Sequence, residues 1–148
     1  MSIVRIDAED RWSDVVIYNN TLWYTGVPEN LDADAFEQTA NTLAQIDAVL
    51  EKQGSSKSRI LDATIFLSDK ADFAAMNKAW DAWVVAGHAP VRCTVQAGLM
   101  NPKYKVESVR RYGWREVRPP PGQSLLRYSY LATSIPGYVL RLFAVVHD

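Results

Sequence analysis

Arg92 and Glu107 are the two side chains whose type and setting could do chemistry on a small anion. Arg92 stands in the run Ala89-Pro90-Val91-Arg92-Cys93-Thr94-Val95, which alternates as a strand does. A guanidinium fixed on a strand offers a planar fork of donors to a carboxylate, and each charge-assisted bond contributes ~1.5–3 kcal/mol net. The same arginine can equally be an ordinary sheet-surface side chain, and the pattern leaves both readings open. Glu107 follows fifteen residues later in Lys105-Val106-Glu107. A carboxylate beside a bound electrophile can hold or deprotonate a water. Alone it is unremarkable.

Other chemistries find little in the chain. His88, His147 and the single Cys93 form no ligand-spaced pair, so no metal site is expected. There is no glycine-rich phosphate loop and no nucleophile motif with its own local context. His88, in Gly87-His88-Ala89-Pro90, reads as a loop residue. Cys93 falls with Val91, Val95 and Ala97 on the apolar side of its strand and reads as a buried, inert thiol.

The elements that must position these residues are legible from periodicity. Val15 to Tyr18 and Thr21 to Thr25 are β-branched and aromatic runs joined by Asn19-Asn20, which predicts a hairpin with a two-residue turn. Asp34 with Glu37 opens a helix whose stripe is Phe36, Ala40, Leu43, Ile46 and Leu50, and Gly54 ends it. Ile60 to Leu67 is a strand with Leu61, Ala63, Ile65 and Leu67 toward the core. A second helix, capped by Asp69 or Asp72, buries Phe73, Met76, Trp80 and Trp83 or Val84, and Gly87 stops it. The Met and aromatic stripe is core packing rather than a cofactor box.

The order β-β-α-β-α-β-β predicts an α+β fold, a mixed sheet with two helices on one face. Arg92, Thr94, Gln96 and Glu107 are then expected on the opposite, polar face, which must meet solvent, a partner subunit or a ligand.

At 148 residues the chain suits one compact domain. One cysteine and the absence of a basic-then-apolar start in Met1 to Asp10 point to the cytoplasm. Tyr138 to Val146, which contains Arg141, is far short of the ~20 apolar residues that span a bilayer. The net charge of −1 hides a split: residues 1–107 carry 10 Lys+Arg against 15 Asp+Glu, while residues 108–148 carry 6 Arg and 2 acids. Nothing in the first, acidic part favours a nucleic acid.

Three stretches taken together resemble the RidA/YjgF family of reactive-imine deaminases, close to its enterobacterial YoaB branch. They are Thr25-Gly26 after a strand, Ala89 to Val95, and Lys105-Val106-Glu107. The resemblance covers residues 1–107. It implies a chorismate-mutase-like fold, homotrimers with sites between subunits, no cofactor, and hydrolysis of 2-imino or enamino acids such as 2-aminoacrylate or 2-iminobutyrate to 2-keto acids and ammonia. It implies that Arg92 binds the substrate carboxylate and that Glu107 activates the water. Thr25, Gly26, Trp12 and Thr94 would line the site, with Trp12 where better-known members carry tyrosine and Thr94 in place of a frequent cysteine. The alternative is a member that binds small carboxylates without turning them over, as a regulatory or chaperone-like protein. A ribonuclease role, also proposed in the family, draws only on the arginines of the last 41 residues.

Residues 108–148 depart from the resemblance. Continuing the strand past Glu107 would turn Ser108 and Arg110 toward the core. Burying an unpaired charge is costly. Regular pairing is therefore expected to end near Val109, leaving an interrupted last strand and an Arg- and Pro-containing tail, as a shifted reading frame or a fused segment would produce.

Overall fold

Asn19 and Asn20 both adopt positive φ, +47° and +54°. A two-residue turn that follows the twist of its strands requires this of both central residues, and asparagine tolerates it. The turn joins β2 (Ser13–Tyr18) to β3 (Thr21–Gly26), with Tyr18 opposite Thr21. The computed structural model describes residues 2–113. Its elements continue with α1 (Ala35–Lys52), β4 (Ile60–Leu67), α2 (Phe73–Trp83), β5 (Val91–Gln96) and β6 (Val106–Gly113), and a strand β1 (Val4–Ala8) precedes the hairpin. The sequence reading did not include β1, whose five residues mix charge with apolar side chains and stay largely exposed at the sheet's outer edge.

The six strands run in the order β1-β2-β3-β6-β4-β5. All neighbours are antiparallel except β4 and β5, a parallel pair joined through α2. The fold is α+β, with both helices contributing to one core beside Val15, Ile17, Leu22, Ala63, Ile65, Leu67 and Val106.

Helix α1 begins as expected: Asp34 caps it by accepting from the Glu37 N–H at 2.8 Å. It ends with Gly54 at φ +70°, where the Gly54 and Ser55 N–H groups reach back to Glu51 and Leu50 carbonyls. Its buried stripe differs in the first two turns. Leu43, Ile46 and Leu50 are buried and Phe36 packs half-buried against the core, but Ala40 is exposed, and Gln38, Thr39 and Thr42 are buried beside them. Gln38 explains the rotation. Its side-chain amide donates to the carbonyls of Leu31, Ala33 and Lys103, and its oxygen accepts from the Lys105 N–H. A buried amide so fully paired can displace an apolar side chain from the interface.

A register shift between Ile60 and Asp62 buries Ile60 and turns Leu61 to solvent, correcting the expected facing at the start of β4. Ala63, Ile65 and Leu67 face the core as predicted. Asp69 caps a 3-10 turn, Lys70–Asp72, that leads into α2. Met76, Ala79 and Trp80 are buried there, whereas Phe73 is exposed, and the helix stops at Trp83, before Gly87.

The largest correction concerns β6. It runs through Gly113 rather than ending near Val109, paired with β3 from Gly26↔Ser108 to Thr21↔Gly113 and with β4 on its other side. A central strand abandoned midway would orphan backbone groups on two neighbours. The cost falls on Arg110 instead, which is 2% exposed. Its Nε donates to Ser108 Oγ at 2.7 Å, and its guanidinium lies 4.9 Å from the ring centre of Trp80 and 5.0 Å from that of Trp83. The expected extended segment Arg118 to Gly122 and the apolar stretch Leu125 to Val146 lie outside the described residues.

Candidate functional site

β5 ends the sheet, so one of its edges has no strand beside it among the described residues. The ladder aligns Arg92 with Ala63, Thr94 with Ile65 and Gln96 with Leu67. All three partners face the helices. Arg92, Thr94 and Gln96 therefore face α2, and the apolar series Val91, Cys93, Val95 faces away from it, the reverse of the expected arrangement. The alternation was right and the side was wrong, because the helices leave the sheet margin incompletely covered and a polar series is tolerated there. Cys93 is accordingly exposed rather than buried.

Arg92 is half-buried, its guanidinium carbon 5.1 Å from the centre of the Trp80 ring. Stacking of this kind fixes a guanidinium's plane while leaving its edge donors free for a ligand. Arg110 lies in the same cross-strand row, through Ala63, and rests on the same indole. Burial lowers the affinity of the Arg110 guanidinium for its proton, neighbouring Tyr112 and Asp47 oppose that, and the Arg92 charge adds to it. Burial likewise raises the Tyr112 phenol well above its ordinary range. The two groups sit close enough to influence each other, yet Arg110 Nη1 and the Tyr112 hydroxyl are buried without a geometrically complete hydrogen bond.

Two residues from Arg92 along β5, Thr94 opens onto a cavity of about 300 Å³ lined by Leu67, Lys70, Phe73, Thr94 and Gln96. The Thr94 Oγ1 is buried and unpartnered, as is Oδ1 of Asn77 on α2. Asn77 lies one helical turn beyond Phe73 and just before Trp80, whose ring the Arg92 guanidinium overlies. Trp80 packs in the core as the stripe predicts and also carries the Arg92 guanidinium on its ring, whereas Lys70 and Asn77 are not among the residues the sequence singles out. The signal was present as a polar residue between two aromatics at helical spacing.

The remaining expected site residues do not join Arg92 within one chain. Glu107 is aligned with Phe66, and Phe66 with Val95, so Glu107 lies on the face that carries no helix among the described residues, the helix-free face. Two strand spacings and three residues separate it from Arg92, about 14 Å between Cα atoms, across the thickness of the sheet. Thr25 is exposed on the helix-free face, opposite Val109. Gly26 is buried on the other, where an added Cβ would come within 2.9 Å of Thr42 Cγ2. Trp12 is 62% exposed in the turn between β1 and β2. The helix-free face also carries exposed Val91, Val95 and Val109 around half-buried Phe66 and Trp23. No group of His, Cys, Asp and Glu suited to a metal gathers among the described residues, and none of their helices is long and apolar enough to cross a membrane.

The chain is similar to several known proteins. Residues 2–109 match the family model described as Endoribonuclease L-PSP. The chain is 92% identical over 107 residues to the RutC family protein YoaB of Escherichia coli K12, covering 72% of this chain and 94% of that protein. It is 48% identical over 111 residues to a RutC family protein of Haemophilus influenzae, covering 74% and 96%. Among solved structures, a member of the YjgF protein family from Neisseria meningitidis is 43% identical, with a TM-score of 0.75 over 78% of this chain and 98% of that one.

Proposed function

Because the chain belongs to the RidA/YjgF family, on its YoaB-like branch, we propose that it hydrolyses reactive 2-imino and enamino acids to 2-keto acids and ammonia. The observation that carries this reading is Arg92, held half-buried on an edge strand with its guanidinium stacked on Trp80. Such a group binds a carboxylate through paired donors. Water adds to the imine carbon, its protons pass to nitrogen, and ammonia leaves as the C–N bond breaks. Glu107 holds or deprotonates that water.

Glu107 sits too far from Arg92 in its own chain to serve the same substrate. The reading therefore takes the active form to be a homotrimer in which Glu107, with Thr25 and Trp12, reaches the Arg92 of a neighbouring subunit. The exposed apolar side chains of the helix-free face favour such an assembly. The edge of β5 that has no neighbouring strand among the described residues is where the second wall would stand.

The separation of Arg92 and Glu107 also favours a second reading, a protein that binds 2-keto carboxylates without hydrolysing imines. A coupled assay separates the two. A dehydratase generates 2-aminoacrylate or 2-iminobutyrate, and keto-acid release is followed with and without the protein. Acceleration is expected; keto-acid binding without acceleration selects the second reading. An RNA substrate draws no support from residues 1–107, where acids outnumber bases by five.

A further inference from the structure

From the cavity beside Thr94 we infer that the substrate is a dicarboxylic 2-imino acid, the second carboxylate being taken by Lys70. The inference rests on the proposed deaminase reading and names its substrate class. Arg92, Thr94 and Gln96 form one line along β5, facing α2. Arg92 stands at one end, on Trp80. Lys70 lines the cavity at the other, beyond Leu67, which is aligned with Gln96. None of the ion pairs among the described residues engages Lys70, although three other cations have acidic partners. Arg92 and Lys70 thus stand at the two ends of one side-chain row along β5, and a cation at each end matches a ligand with an anion at each end.

The space between them fits. Arg92 and Gln96 are four residues apart, roughly 13 Å between Cα atoms, and two long cationic side chains reaching inward shorten that to the span of a four- or five-carbon dicarboxylate. Midway along the row, Thr94 lines the cavity and its buried Oγ1 has no partner. Unpaired buried acceptors are costly unless something donates to them. An imine N–H between the two carboxylates is such a donor. Phe73 and Leu67 supply the apolar walls along the connecting methylenes. For a five-carbon substrate the reaction is 2-iminoglutarate plus water giving 2-oxoglutarate and ammonia, with no change of oxidation state. The reaction that supplies it would be an oxidation of an acidic amino acid to its imine.

The test is calorimetric titration of the full chain with 2-oxoglutarate and with 2-oxobutyrate, which share the keto-acid head and differ in the second charge. The 2-oxoglutarate is expected to bind on the order of tenfold more tightly, the worth of one charge-assisted contact. Lys70→Met should reduce that preference to about one, and Lys70→Glu should invert it. Arg92→Ala should weaken both ligands. Equal binding of the two keto acids, or a preference that survives Lys70→Met, overturns the dicarboxylate assignment while leaving the Arg92 clamp standing. Arg92→Ala protein that binds both as well as wild type overturns the clamp, and with it the proposed function. If neither keto acid binds the wild type, both readings fall.

Discussion

Arg92 and Arg110 place two guanidinium groups on one indole, and they answer to different demands. Arg92 has an exposed edge and a ligand to bind under the proposed reading. Its replacement by alanine should remove most deaminase activity while leaving the melting temperature close to wild type. Arg92→Lys should recover little, because an ammonium lacks the paired, planar donors. Wild-type turnover by Arg92→Ala protein would sink the assignment. Arg110 is buried, bonded to Ser108 Oγ and near the Tyr112 phenol, and no ion pair among the described residues includes it. Replacing a buried charge with an apolar side chain of similar volume is often stabilising by 1–4 kcal/mol. Arg110→Leu is therefore expected to raise the unfolding free energy by about that amount, read as a higher urea midpoint at unchanged slope. A lower midpoint would mean that the two indoles and Ser108 outweigh the burial cost. Alternation exposes the conflict at Arg110 but not its outcome, because the burial cost is set against the ladder bonds of two adjoining strands and not against solvent alone.

At the scale of elements, most boundaries were legible because local chemistry fixed them. Asn19-Asn20, Asp34 with Glu37, and Gly54 each carry their own geometric demand, and each appears where expected. What could not be read was which side of an edge strand faces the helices. Alternation in β5 gives two faces but no absolute direction, and an edge strand relaxes the rule that the apolar one turns inward. Glu107 inherits the same ambiguity, so alternation puts the pair on one face and the fold puts them on two. Gly26 shows a demand visible only in three dimensions. Its Cα passes so close to α1 that a methyl group would collide with Thr42 and press on Ile46 and Tyr24. Gly26→Ala should cost ~1–3 kcal/mol, the usual range for overpacking, read as a fall in denaturant midpoint with unchanged slope. A neutral result would show that Thr42 can rotate away without breaking its bond to the Gln38 carbonyl.

For the whole molecule, the decisive question is whether a site is divided between subunits. Light scattering should give the mass of a homotrimer, and a fully active monomer would exclude a shared site. A sharper measurement mixes two inactive proteins. Arg92→Ala subunits keep Glu107, and Glu107→Gln subunits keep Arg92. In a ring of three, each site would take its arginine from one subunit and its carboxylate from the next, and the interface is the same all round. Random assembly then gives about a quarter of the sites both native groups, so mixed trimers formed by joint refolding should regain about a quarter of wild-type activity. If the two groups served a substrate within one chain, no mixture could restore a site, and activity would stay at the level of the parents. The 14 Å separation estimated from the ladder and the opposite faces of Arg92 and Glu107 favour recovery. Failure to recover, in trimers shown by mass spectrometry to contain both subunits, would remove Glu107 from the reaction and leave Arg92 as a carboxylate-binding group alone.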